Sequence, residues 1–388
     1  MTDSSIKPFR IHVSDDILSD LRARLERTRW PDEVPGAGWT CGTDPAYLKQ
    51  LVAYWRDHFD WRAQEAGLNR FQQYTVPLAG IELHFIHEPG KGPQPMPLLI
   101  SHGWPGSVFE FHKLIPMLTE PARFGADPSD SFTVVAPSLP GYTFSFTPTQ
   151  SRFGVEQIAE VFAQLMTDVL GYHRFAAQGG DWGAFITSRL ACEVPERLYG
   201  IHLNLLALKR DPAMLQNPNG EERRYLEQLK HWIKEEVGYQ WIQGTKPQTL
   251  SYGLTDSPAG LAAWIVEKFY TWSDCRGDLD GYLGRDAILT NIMLYWATGA
   301  IGSSFWPYYS RFHNPWPIPD GKRIEVPTGY VEFPKEILRP PRSLAERVYN
   351  IRRWNVKQRG GHFAALEQPE VLAEEIRAFF RQFRTNTR

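Results

Sequence analysis

From Tyr74 to Asn204 the apolar residues gather into short runs bounded by turns: YTVPL, IELHFIHEP, PLLISHG, FTVVAPSLPG, RFAAQGGD and LYGIHLN. Runs of this length, rich in Val, Ile and Phe, predict strands, the first two forming an antiparallel hairpin closed at Leu78-Ala79-Gly80. Between them VEQIAEVFAQLMTDVLGY (155–172) repeats its apolar residues every three or four positions. This alternation of strand and helix predicts a mainly parallel sheet. After Leu206 the strand rhythm stops, and residues 207 to about 315 read as helices rich in Trp, Tyr and Leu, such as ERRYLEQLKHWIKEEVGY. IEVPTGYVEF and VYNIRRWN then return to strand pattern, and PEVLAEEIRAFFRQF sets Leu372, Ile376, Phe379 and Phe383 on one face of a closing helix. Ahead of the sheet, SDDILSDLRARLERTRW predicts a helix from Ser14 to the stop at Pro31, with Ile17, Leu21 and Leu25 on one face. A second helix follows Asp44-Pro45 and buries Leu48, Leu51 and Trp55, while PDEVPGAGWTCGTDP between the two is expected to be irregular.

The simplest organisation is one α/β core interrupted by a helical insertion. Residues 1–73 form an N-terminal helical arm packing on core and cap, 74–206 the first part of the core, 207–318 a helical cap, and 319–388 the second part of the core. Such a cap would sit over the carboxyl ends of the strands, where these sheets bind ligands. A length of 388 residues agrees with more than one unit, since single cores stop growing near about 250–300 residues. A net charge of −2 argues against a polyanionic partner, and nucleic acid is not expected. Cys41, Cys192 and Cys275 lie far apart without zinc-type spacing, so neither a structural metal nor a disulfide framework is expected. MTDSSIKPFRIHV has no leader pattern, and no window approaches the roughly 20 apolar residues of a membrane span. The expectation is a cytoplasmic protein with no membrane anchor.

Chemistry enters at QGGDWGA (178–184), where a strand meets a helix. Gly179, Gly180 and Gly183 keep the frame of a nucleophile elbow, the turn that carries serine in α/β-hydrolases, but Asp181 stands in the serine's place. Taken alone, an Asp here reads more readily as a helix N-cap. HGWPG (102–106) follows PLLIS where this fold carries its oxyanion loop, offering the Trp104 N–H as one donor and the Trp182 N–H as the other. Taken alone, it reads equally well as a simple Pro-Gly turn. GGHF (360–363) puts His362 just before the final helix, where the order nucleophile, acid, histidine requires a base. The acid that orients it falls among Glu325, Glu332 and Glu336, and spacing does not choose between the last two.

Together HGWPG, GGDWG, FPKE and RGGHFAALEQPE resemble the epoxide hydrolases of the α/β-hydrolase fold, in the branch of the mammalian microsomal, insect juvenile-hormone and fungal enzymes. The resemblance spans nearly the whole chain, including the arm ending in TRWPDE and the cap stretches GYQWIQGTKPQTL and LTNIMLYWATGAIGSS. It implies Asp181 as nucleophile, His362 as base and Glu336, in the FPKE motif, as the orienting acid. It also implies two cap tyrosines on the epoxide oxygen: Tyr239, and one from SSFWPYYSRF, where Tyr308 is preferred to Tyr309 although the segment departs from the family's run. Tyr225 and Tyr252 have no such match and are expected to pack in the core. The implied reaction takes a small hydrophobic epoxide and water to a vicinal diol through an aspartyl ester, with no cofactor and no metal; a homodimer is compatible. Two alternatives share these residues. A dehalogenase of the same fold would use Trp104 and Trp182 on a halide, and an inactive binder of a hydrophobic ligand would keep Asp181 only as a cap.

Overall fold

The computed structural model describes residues 5–210 and 217–384, and among them nine strands join in one sheet. The strands are β1 (Lys7–Pro8), β2 (Gln73–Leu78), β3 (Ile81–Glu88), β4 (Met96–Ser101), β5 (Phe132–Pro137), β6 (Phe175–Gly179), β7 (Leu198–Leu203), β8 (Ile324–Glu332) and β9 (Tyr349–Val356). Their order is β1-β2-β3-β5-β4-β6-β7-β8-β9. β2 and β3 form the expected antiparallel hairpin, β3 runs antiparallel to β5, and from β5 to β9 every pairing is parallel. The loops leaving β4, β6, β8 and β9 therefore emerge along one edge, which brings HGWPG, GGDWG, FPKE and GGHF together.

Both faces of the sheet are covered, which is why β4 and β5 read as unbroken apolar runs. On one face Leu372, Ile376 and Phe379 of helix Pro369–Phe380 pack with Leu98, Ile100 and Val134. On the other face helices Val155–Gln164 and Asp181–Glu193 lie under the insertion. The insertion runs from helix Gly220–Glu235 to helix Trp306–His313, between β7 and β8. No helix among the described residues is long and apolar enough to cross a membrane.

Several boundaries differ from the sequence pattern. The first helix, capped by Ser14, ends at Glu26 and does not reach Trp30. Its last turn tightens through Arg27 N–H to Arg24 O and Thr28 N–H to Leu25 O, and the residue before Pro31 disfavours helical backbone. The closing helix ends at Phe380, so Phe383 sits half-buried in a tighter turn, Arg381–Phe383. The irregular stretch between the arm helices holds one short turn, Gly38–Cys41. An arm helix, Trp61–Leu68, escaped the pattern; Asp60 caps it by accepting from Ala63 N–H at 3.1 Å. Residues 7–8 of the arm also pair with β2, extending the sheet.

The arm is bonded to the insertion as well as to the sheet. Arg24 meets Asp256 at 2.7 Å, Thr43 Oγ1 donates to Ala263 O at 2.7 Å, and the hydroxyls of Tyr47 and Tyr54 donate to Asp280 and Asp286 at 2.7 and 2.9 Å. Trp39 stacks on Tyr270 with centroids 3.8 Å apart.

Candidate active site

Ser101 and Gly179 are opposite each other in the β4–β6 ladder, so the chain turns into HGWPG and GGDWG side by side. The approach leaves no room for side chains: a Cβ on Gly183 would lie 1.9 Å from Ser101 O, and one on Gly103 would lie 2.2 Å from Asp181 Oδ1. Asp181 itself takes a left-handed backbone, φ 46°, a conformation that costs a non-glycine residue of order 1–3 kcal/mol and is held only by its surroundings. Here the surroundings are specific. Trp104 N–H donates to Asp181 Oδ1 at 2.8 Å, and His362 Nε2 lies 3.2 Å from Asp181 Oδ2. Trp182 N–H belongs to the first turn of helix Asp181–Glu193, where backbone donors have no partner within the helix.

His362 arrives from beyond β9, where Gly361 bridges to Lys335 in the loop after β8. That bridge sets Glu336 beside the imidazole: Nδ1–H donates to Glu336 Oε1 at 2.5 Å. Of the three carboxylates left open by spacing, Glu325 is exposed on Arg323 and Glu332 lies 4.0 Å from Arg339; Glu336 alone reaches His362. His362 N–H donates to Trp272 O of the insertion, 2.9 Å away. Burial by itself would lower the imidazole pKa, but the Glu336 charge and the bonds to Asp181 and Glu336 outweigh it and raise it to about 10. His102 behaves in the opposite way. Burial pushes it down to about 4, and its neutral ring accepts from Leu139 N–H at 3.2 Å, which fixes the HGWPG loop.

Above Asp181 a chain of aromatic rings runs from Trp182 to His362. Trp182 meets Tyr308 edge-on at 4.7 Å, Tyr308 meets Tyr239 at 5.7 Å, Tyr239 meets Trp272 at 5.3 Å, and Trp272 meets His362 at 5.2 Å. Tyr239 also stacks on Trp104 at 5.5 Å. Both tyrosines are buried, and burial raises both phenol pKa values. Tyr309 is turned away, stacked between Trp306 and His313. Tyr225 is buried, as expected, but Tyr252 is 72% exposed and packs in no core.

Further residues join the site without a sequence signature. Asn291 and Tyr295, on helix Arg285–Thr298, donate to Pro105 O at 2.7 Å and Gly106 O at 2.6 Å, tying the insertion to the HGWPG loop. Their spacing of four on an apolar helix marks one face, though not its partner. Glu110, Gln178 and Asn204 line a cavity of about 20 Å³ that also touches Asp181 and His362. Burial pushes the Glu110 carboxyl up to about 8.

Against known proteins, the family profile described as epoxide hydrolase N terminus matches residues 6–111, and that of the alpha/beta hydrolase fold matches residues 96–232. Epoxide hydrolase 1 of Oryctolagus cuniculus is 38% identical to this chain, over 98% of it and 89% of the relative. The chain belongs to the epoxide hydrolase family. A Stigmatella aurantiaca relative assigned to the epoxide hydrolases reaches 44% identity over 98% of this chain and 86% of its own length. The crystal structure of juvenile hormone epoxide hydrolase from the silkworm Bombyx mori superposes on this epoxide hydrolase with a TM-score of 0.88 at 32% identity, covering 100% of this chain and 96% of that one.

Proposed function

We propose that this epoxide hydrolase opens its substrate with Asp181 and releases a vicinal diol by hydrolysing the aspartyl ester with water activated by His362. The observation that carries the reading is the carboxylate held at both oxygens, by Trp104 N–H at 2.8 Å and His362 at 3.2 Å, with His362 in turn bonded to Glu336 at 2.5 Å. Oδ2 attacks an epoxide carbon, the ring C–O bond breaks toward oxygen, and Tyr239 and Tyr308 stabilise that oxygen and supply its proton. Oδ1 becomes the ester carbonyl. It already rests on Trp104 N–H, and Trp182 N–H, in the first turn of its helix, would be the second donor to the tetrahedral oxyanion of the next step.

Esterification also changes the base. A charge that holds the imidazole protonated vanishes when Asp181 becomes a neutral ester, so the His362 pKa falls and the ring can take a proton from water. The cavity lined by Glu110, Gln178 and Asn204 is large enough for one water and touches both reacting residues. Glu336 orients the ring and stabilises its cation. In this reading residues 207–318 act as a cap over a core of 74–206 and 319–388, with 1–73 as an arm against both. A serine in the elbow would leave an ether with no carbonyl for water to attack, which is why the nucleophile is a carboxylate.

Single-turnover hydrolysis of an aryl epoxide in ¹⁸O-water tests the route. The label is expected in the Asp181 carboxylate, and the first diol released is expected to carry none from the solvent. Label appearing directly in the diol would exclude the aspartyl ester.

A further inference from the structure

Gln240 lies between one of the two tyrosines and the half-buried guanidinium of Arg311. Its side chain is 2% exposed; Nε2 donates to Tyr239 Oη at 2.8 Å, and Oε1 accepts from Arg311 Nη2 at 3.0 Å. Which end of the amide faces the tyrosine is decided by chemistry, because a guanidinium only donates. The carbonyl must therefore face Arg311, and the NH₂ must face the phenol. The consequence falls on the Tyr239 proton. With its oxygen already accepting, the hydroxyl rotates its hydrogen toward another acceptor, whereas a reversed amide would have tied that hydrogen to Oε1.

The two tyrosines differ in this respect. Tyr308 is enclosed by the rings of Trp104, Trp182 and Tyr239, at 5.8, 4.7 and 5.7 Å. Tyr239 has the amide at its oxygen and Lys268 Nζ over its ring at 4.7 Å. Burial raises the pKa of both phenols, but for Tyr239 the charges of Arg210 and Arg311 and the Gln240 bond work against the rise. For Tyr308 the neighbouring Tyr239, Asp181 and Tyr142 add to the rise, and the buried Trp182 indole nitrogen makes no hydrogen bond to its oxygen.

We infer that Arg311 and Gln240 form a positioning relay that makes Tyr239 the proton donor to the opening epoxide oxygen, leaving Tyr308 to hold that oxygen by a hydrogen bond. The relay rests on the reading of Asp181 as nucleophile. As the Asp181–carbon bond forms and the ring C–O bond breaks, the electron pair stays on oxygen and takes the Tyr239 proton, leaving a phenolate that accepts from Gln240. The loss of the Asp181 charge lowers the His362 pKa, and the proton His362 sheds restores the phenol through solvent. His362 then takes its proton from the hydrolytic water, so the cycle closes with no net proton gained or lost.

The test measures the rate of ester formation by intact mass in single turnovers with styrene oxide, in a His362→Gln background where the ester persists. Gln240→Leu and Arg311→Met are each expected to slow ester formation about tenfold when Tyr239 is present, the scale of one hydrogen bond to a developing charge. In Tyr239→Phe the same substitutions are expected to matter less than twofold, and in Tyr308→Phe the tenfold effect should persist. Arg311→Lys, which keeps a donor for Oε1, should recover most of the rate. Equal losses in all three backgrounds would mean packing alone and overturn the relay, as would an ester formed at unchanged rate. Failure of any ester to form on Asp181, even with Gln240 and Arg311 intact, would sink the nucleophile and the relay with it. If one relay variant does not fold, the other carries the comparison.

Discussion

Asp181, at the first turn of its helix, and His362 and Glu336, in loops, stand beyond the carboxyl ends of strands, each fixed by a backbone or charged partner within 3.2 Å. Tyr239 and Tyr308 stand on two helices of the insertion and meet their neighbours through rings 4.7 to 5.8 Å apart. The floor of the site thus depends on backbone shape that few residues can adopt, and the roof on aromatic packing that carries two phenol hydroxyls. Tolerance to substitution should divide along the same line.

The largest expected effect is on the floor. Asp181→Ala should lower diol release by at least about 10³-fold, since without the carboxylate no ester forms. The same change removes an anion beside His362, so an NMR titration should show the imidazole losing its proton at lower pH than in the parent protein. An unchanged titration would mean that Glu336 alone sets the base. On the roof the effects should be smaller and should distinguish neighbours. Tyr308→Phe is expected to slow ester formation by roughly 10- to 100-fold, whereas Tyr309→Phe, a ring stacked on Trp306 and His313, should change it less than about twofold. Stopped-flow single turnovers measure both, and the reverse ranking would break the assignment of the roof. The joint between the two regions should register as stability. Asn291→Ala leaves Pro105 O buried without its donor and should cost about 1–3 kcal/mol in denaturant unfolding; no shift in midpoint would mean that floor and roof are not mechanically coupled there.

The same division explains what could be read in advance. The elbow was legible because a Cβ at Gly183 or Gly103 would collide with Ser101 O or Asp181, so glycine there records a contact between distant segments. The strands were legible because burial on both faces enforces apolar runs. Glu336 was not separable from Glu332 by spacing, since the choice depends on the Lys335–Gly361 bridge between two loops. Gln240 and Arg311 left no pattern, although Arg311 follows Tyr308 by three positions and so shares its helical face. Tyr252 looked no different from a packing residue, yet its ring faces solvent, because aromatic identity alone does not say which side of a helix is covered. The first helix stopped short of Pro31 because its final turn tightened at Arg24 and Leu25, and hydrophobic spacing does not report such endings.

The arm's bonds to the insertion carry a consequence for traffic through the site. Arg24, Thr43, Tyr47 and Tyr54 tie it to Asp256, Ala263, Asp280 and Asp286, residues spread along the insertion's sequence, while Lys7–Pro8 is woven into the sheet. A roof braced from outside in this way works as a vault and not as a hinged door. Swinging it open would break these bonds together with those of Asn291 and Tyr295 to the HGWPG loop. A roof tied down at so many points favours ligand exchange by rotation of individual side chains over a swing of the whole insertion.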